Sequence, residues 1–199
     1  GGATATTYLL PPLLGAFHAR FPGIQLFVRE QGSQSVLEDI ARGVLDIGVI
    51  TLPANPDEDP SAEHSVDVEP WVRDELRLIV PRAHPLYGHT HFAWEDLDGA
   101  SLVLFEAGSV VRTLLDAKMS AAGISTETVM ELRSIESIKQ MVAQGIGAAF
   151  VSKFALDDDD GGLVARDGVT RDLAIVTRSG RTPSRAASAF LELMKSPHL

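Results

Sequence analysis

The chain opens with Gly1-Gly2-Ala3-Thr4-Ala5-Thr6-Thr7, and three later stretches repeat that chemistry: glycine and short hydroxyl side chains standing where a helix is about to begin. They are Gly32, Ser33 and Ser35; Gly108 and Ser109, inside Glu106-Ala107-Gly108-Ser109; and Ser134 with Ser137. The first turn of a helix presents backbone N–H groups without intrahelical partners and a partial positive charge. A carboxylate or similar anion is favoured there, and hydroxyls add hydrogen bonds that adapt to a guest. Any one such residue has a simpler use as the N-cap of its own helix. Four such mouths in one fold point to a small-molecule site, and capping and ligand contact are compatible.

Reactive chemistry lacks its residues. A Gly-x-x-x-x-Gly-Lys-Ser/Thr phosphate loop is missing, and the opening glycines do not have Gly-x-Gly-x-x-Gly spacing. No Gly-x-Ser-x-Gly elbow marks a hydrolase serine. His89 and His91, with His84 nearby, invite a metal reading, but no further ligand motif accompanies them and a solvated loop is expected. The run 157–160 is four aspartates without the spacers and late glutamate of a calcium loop, and reads as a solvated turn before Gly161-Gly162. The chain has no cysteine, which removes disulfides, thiolate metal sites and cysteine nucleophiles. No catalytic residue, metal or cofactor is assigned.

The elements that must position the four mouths alternate along the chain. Leu10, Leu13, Leu14, Phe17 and Phe21 recur at helical spacing up to Pro22-Gly23, and Pro11 and Pro12 fall early in that helix. IQLFVRE (24–30) alternates and predicts a strand. Val36, Leu37, Ile40 and Ala41 share one face of a second helix, Gly43 suits its left-handed cap, and LDIGVI (45–50) reads as a buried strand. Residues 53–70, rich in proline and acids, read as an exposed connection. Strands are predicted at 75–81, 101–106, 127–133, 146–152 and 173–178. Helices are predicted at 110–123 and 134–145, closed by Gly123 and Gly145, and at 184–195 with Ala187, Phe190, Leu191 and Met194 on the apolar side. The alternation predicts an α/β fold with a mostly parallel sheet, whose ligands bind where strands run into helix N-termini.

A repeat sharpens this. SVLEDIARGVLDIGVI (35–50) aligns without gaps on SIKQMVAQGIGAAFVS (137–152): serine, apolar helix, glycine eight residues on, then a buried strand. Each copy follows a predicted strand, and two similar α/β lobes are the simplest reading.

Composition limits the partners. With 45% hydrophobic and 22% charged residues in 199, the chain can bury a real core as one domain or two small lobes. Its net charge of −10 argues against gripping nucleic acid by itself. No run approaches eighteen apolar residues, so no transmembrane helix is expected, and no secretion pattern opens the chain.

The order and spacing of ATTYLLPPLLGAFHARFPGIQLFVREQGSQSVLEDIARGVLDIGVI, LRLIVPRAHPL and SIESIKQMVAQGIGAAFVS resemble the effector-binding domain of LysR-type bacterial transcriptional regulators, over nearly the whole chain. The resemblance implies the periplasmic-binding-protein type 2 fold: two Rossmann-like lobes joined by two crossover strands, with a small effector in the cleft. Lobe I would comprise residues 1–74 with 153–199, and lobe II residues 75–152. It further implies a cytoplasmic regulator that pairs into homodimers through this domain. DNA contact would come only from an N-terminal winged helix-turn-helix absent from this sequence. In the family a strand precedes the glycine-threonine loop, so residues upstream of Gly1 are expected.

By the same resemblance the effector would meet Thr4, Ala5 and Thr6 on the first loop, Ala5 through its backbone N–H alone. Gly32 and Ser33 would serve on the second, Gly108 and Ser109 in lobe II, and Ser134 and Ile135 near the crossover. Glu106 is an awkward neighbour for an anion unless Arg112 or Arg133 counters it. Two other readings stay open at this point: a transporter's solute receptor of the same fold, and an enzyme built on it, which would need convergent titratable groups.

Overall fold

The computed structural model describes residues 1–53, 59–63, 65–157 and 162–196. Its helices are α1 (Leu10–Arg20), α2 (Ser33–Ala41), α3 (Pro60–Glu63), α4 (Val110–Ala122), α5 (Ile135–Ala143) and α6 (Arg185–Met194). Its strands are β1 (Gly48–Thr51), β2 (Val66–Ile79), β3 (His91–Phe92), β4 (Ser101–Phe105), β5 (Glu127–Leu132), β6 (Ala149–Ser152), β7 (Val164–Ala165) and β8 (Thr170–Arg178). The chain forms two units: unit 1 is Gly1–Arg73 with Asp172–Leu199, and unit 2 is Asp74–Arg171. It passes from one to the other within β2 and returns within β8.

The repeat survives folding in detail. Shifting α2 by the 102 positions that align the two copies gives the limits of α5. Both helices end on a left-handed glycine, Gly43 at φ 72° and Gly145 at φ 81°. The hydrogen bonds that close them match as well. Gly43 N–H donates to Ile40 O at 2.9 Å and Val44 N–H to Asp39 O at 2.8 Å; Gly145 N–H donates to Val142 O at 2.9 Å and Ile146 N–H to Met141 O at 3.1 Å. These are Schellman closures, which need a residue free of a Cβ at the left-handed position.

In unit 1, β1 pairs antiparallel with β8, Gly48 opposite Val176 and Thr51 opposite Leu173, and β8 also borders β2. Val36, Leu37 and Ile40 of α2 close over Ile50, Val66, Ala174 and Val176. Each of these buried Val, Leu and Ile side chains contributes about 1.5–3 kcal/mol. The helix sits so close that a Cβ on Gly48 would stand 2.4 Å from Val36 Cγ1. α1 meets α6 through Phe17 and Phe190, edge-on at 5.3 Å.

In unit 2, β4 pairs in parallel with β5 and bridges in parallel to Ala148, just ahead of β6. β6 pairs antiparallel with β2, Leu76 opposite Ser152. Leu102, Leu104, Leu115 and Leu78 form the core with Phe92, Trp94 and Phe150; Trp94 stacks on Phe150 at 5.4 Å.

Several expectations are corrected. The sheets are not mostly parallel: β1–β8 and β2–β6 run antiparallel, because β2 and β8 carry the chain between units and are not joined to their neighbours by the right-handed βαβ connections that enforce parallel pairing. Residues 24–30 form no strand. Phe27 is 78% exposed, and among the described residues the long-range backbone bonding there is a one-residue ladder, Gly1 N donating to Arg29 O and Gln31 N–H to Gly1 O. Residues 66–70 belong to β2, not to the exposed connection, whose residues 54–58 and 64 lie outside the described ones. Residues 153–171, which the resemblance would place in lobe I, lie in unit 2, where Leu163, Ala165 and Val169 join its core. Residues 158–161 of the aspartate–glycine turn also lie outside the described residues.

Candidate functional site

The opening stretch is not a loop: the chain is helical from Ala3 and runs through a π-turn at Ala5–Leu9 into α1. Pro11 and Pro12 have no N–H to return to the carbonyls four residues back. The turn widens ahead of them, and Leu10 N–H reaches Ala5 O, five residues back. Such single wide turns are frequent at functional sites. Thr4 is 6% exposed and Ala5 is buried beside it, while Thr7 faces solvent. Thr6 Oγ1 donates to Glu30 Oε2 at 2.9 Å, which with the Gly1–Arg29 and Gly1–Gln31 bonds fixes the opening turn beside the residues leading to Gly32. The first two stretches are thus brought together in unit 1.

The mouths of α2 and α5 differ at one aligned position. Gly32 is the N-cap of α2, in an extended conformation with no side-chain acceptor, and its counterpart under the repeat is Ser134. Ser134 Oγ accepts Ser137 N–H at 3.2 Å and so caps α5. Ser33 does not cap α2; its Oγ accepts Thr51 N–H from β1 at 3.1 Å. Ser35 is exposed. The N-terminus of α2 therefore keeps its partial positive charge without a hydroxyl cap, held to the sheet by Ser33.

In unit 2 the other two stretches meet across β4 and β5. Gly108 takes φ 85° to turn the chain into α4, and Ser109 Oγ accepts Arg112 N–H at 3.2 Å as its cap. Arg133 Nε donates to Glu106 Oε2 at 2.5 Å, so Arg133 is the cation that counters Glu106. Arg112, with only 15% of its side chain exposed, donates to Glu131 Oε1 at 2.7 Å, Phe105 O at 3.1 Å and Asp116 Oδ1 at 2.9 Å. The Arg112 hydrogen bond holds the Glu131 carboxyl below its usual range, and Glu131 in turn raises Arg112. Ile135, at 4% exposure, is buried and brings no polar side chain to the mouth of α5.

Among the described residues no group of three His, Cys, Asp or Glu side chains could hold a metal, and no helix is long and apolar enough to cross a membrane. His91 Nδ1 is 2.9 Å from Thr90 Oγ1, and His84 Nδ1 accepts Leu86 N–H at 3.2 Å. Sequence reasoning missed one polar cluster, Asp74 with Arg171 and Ser152, at the ends of the two crossings. Its signal was an Arg-Asp pair ahead of an apolar run in both β2 and β8: RDELRLIV at 73–80 and RDLAIV at 171–176.

Comparison with known proteins bears on the whole chain. The model of the family described as the LysR substrate binding domain matches residues 2–197. A probable RuBisCO transcriptional regulator of Cyanophora paradoxa is 32% identical over 198 residues, covering 95% of this chain and 60% of that protein. The chain thus spans about three fifths of the length of the curated relatives it matches. The regulatory domain of Synechocystis PCC6803 CcmR, in complex with 2-PG, has a TM-score of 0.81 at 22% identity and covers 98% of this chain and 95% of its own. The effector-binding domain of QuiR, in complex with shikimate, gives 0.79 at 17%, covering 96% of this chain and 91% of its own. At such identities the likeness is one of fold, the periplasmic-binding-protein type 2 fold.

Proposed function

The chain belongs to the LysR substrate-binding-domain family, and from that premise we propose that it is the effector-sensing part of a transcriptional regulator. The observation that carries this reading is the mouth of α2, left without a hydroxyl cap at Gly32 and set beside the Thr4–Thr6 turn. Its effector is a small anion: the N–H groups of α2 take the negative charge, and Ser33 and Thr4 add hydroxyl contacts. Gly108, Ser109, Ser134 and Ile135 offer helix mouths in unit 2, with Glu106 already neutralised by Arg133. The CcmR and QuiR domains were solved with small molecules bound, and shikimate is a carboxylic acid of the class proposed here.

On this reading no covalent chemistry is done on the effector, and no cofactor takes part. The effector acts through its differential affinity for two states of the protein, and it can shift them by no more than that difference. The full regulator works in the cytoplasm, pairs with a second copy through this domain, and contacts DNA through a separate N-terminal domain. A transporter's solute receptor is not favoured, since the curated relatives carry regulator names.

A thermal-shift screen of small carboxylates, amino acids, sulfate and neutral aromatics tests the reading. A specific ligand at one hundred times its dissociation constant stabilises by about 2.7 kcal/mol. At least one acid is expected to raise the melting temperature of the wild type, and Thr4→Val with Ser33→Ala to abolish the rise relative to that variant's own baseline. An acid that works equally on both would place the site elsewhere.

A further inference from the structure

Arg178, at the end of β8, and Arg181, two residues before Pro183, aim at one point. Arg178 Nη1 lies 3.0 Å, and Arg181 Nη1 3.7 Å, from where a Cβ on Gly43 would stand. Among the described residues neither guanidinium has an ion-pair or hydrogen-bond partner. Arg73, Arg112, Arg133 and Arg171, by contrast, each hold a carboxylate. Two converging guanidinium charges repel each other. The negative charge near them is the C-terminal end of α2, worth about half an elementary charge, and the Asp46 carboxylate, together less than the two full positive charges. The pair is short of negative charge.

A cavity of about 170 Å³ opens beside the two arginines, with Thr177, Thr182, Ser184 and Asp46 among its walls. That volume is below the range of pockets for drug-sized ligands and suits a small oxyanion. Planar guanidinium forks bind tetrahedral oxyanions bidentately, and the two threonine hydroxyls add donors. Asp46, a carboxylate in the same wall, disfavours an anion that brings only acceptors and favours one that carries a hydrogen to donate to it. Monohydrogen phosphate has such a hydrogen and sulfate has none.

We propose that Arg178 and Arg181 form a phosphate-binding site in unit 1, with Asp46 selecting phosphate over sulfate. It stands at the opposite end of α2 from Gly32 and Ser33, and it does not depend on the effector reading.

Isothermal titration of the chain with inorganic phosphate, with sulfate and with sodium chloride at matched ionic strength tests this. Saturable phosphate binding is expected, at least tenfold tighter than sulfate, with no saturable heat from chloride. Arg178→Gln with Arg181→Gln is expected to weaken phosphate at least tenfold, and Asp46→Asn to narrow the gap between phosphate and sulfate. Arg178→Lys with Arg181→Lys keeps the charge and loses the forks, and should bind more weakly than wild type. Equal phosphate binding in the Gln pair and the wild type, or phosphate heats no different from chloride, would overturn the site. Equal affinity for phosphate and sulfate in the wild type would overturn the role of Asp46.

Discussion

Asp74 and Arg171 form a buried ion pair in unit 2: Arg171 Nε and Nη2 each lie 2.8 Å from Asp74 Oδ2, and Ser152 Oγ donates to Oδ1 at 2.8 Å. Asp74 is 0% exposed. One position along each strand, Arg73 and Asp172 make a second pair in unit 1, at 2.8 and 3.1 Å, but exposed to solvent. The same Arg-Asp dipeptide therefore supplies a dry pair and a wet one where the chain crosses.

Their burial sets very different costs. Asp74→Asn removes the negative charge from a buried, hydrogen-bonded pair and is expected to destabilise by about 3–5 kcal/mol. Arg73→Gln removes a solvated, salt-screened pair and should shift stability far less. Urea unfolding midpoints compare the two directly. Equal shifts would show that the Asp74 pair is not buried as described.

Gly48 is required for its size, not for its backbone. An alanine Cβ would stand 2.4 Å from Val36 Cγ1 and 2.6 Å from Val176 Cγ2. Gly48→Ala is expected to cost about 1–3 kcal/mol by forcing α2 away from the sheet. Gly48→Ala with Val36→Ala should recover part of that loss, which thermal unfolding of both variants would measure.

Much of this was legible in the chain because local patterns and packing agree. The serine–helix–glycine–strand repeat gave both helices and both left-handed closures, since only glycine accepts φ near 72° or 81° without strain. The strand predicted at 24–30 does not form because alternation signals a strand only where a neighbouring strand supplies backbone partners, and among the described residues the long-range ones come from Gly1. The Gly- and Thr-rich opening reads as a loop from composition, whereas the chain there is helical and a π-turn absorbs the two prolines that follow. The four mouths were visible as composition. Which hydroxyls cap and which do not depends on Thr51 N–H reaching Ser33 across the fold, and no local spacing encodes that.

The difference between the two mouths predicts opposite effects of similar changes. Ser134→Ala removes the cap of α5 and should cost about 1 kcal/mol. Gly32→Ser supplies the cap that α2 lacks, in open space and at an ordinary φ of −66°. It should leave stability unchanged or raise it by a few tenths of a kcal/mol, while weakening the effector that uses the same N–H groups. Melting temperatures with and without effector separate the two effects. A Gly32→Ser variant that binds as well as wild type would remove the α2 mouth from the account.

Acid acts in two stages. Burial lowers the His84 pKa, so below about pH 6.5 the unfolded chain takes up this proton more readily and stability starts to fall. Hydrogen bonds from Arg73 to Asp172, from Lys118 to Asp167 and from Arg112 to Glu131 lower those three carboxyls. Their contribution is present above the ordinary carboxylate range and is lost as pH falls through the lowered values. His84→Asn is expected to flatten the first stage and Asp172→Asn part of the second. Stability measured from pH 8 to 3 checks both, and a His84→Asn curve parallel to wild type would contradict the first.

The central claim concerns where the effector sits. Amide shifts in a ¹H–¹⁵N spectrum, followed while the best acid from the screen is titrated in, test it most directly. The account predicts the largest saturable shifts at Thr4, Ala5, Thr6, Ser33 and Gln34, with further shifts at Ser109 and Ile135. Shifts confined to other residues, with those amides unmoved at saturation, would contradict it.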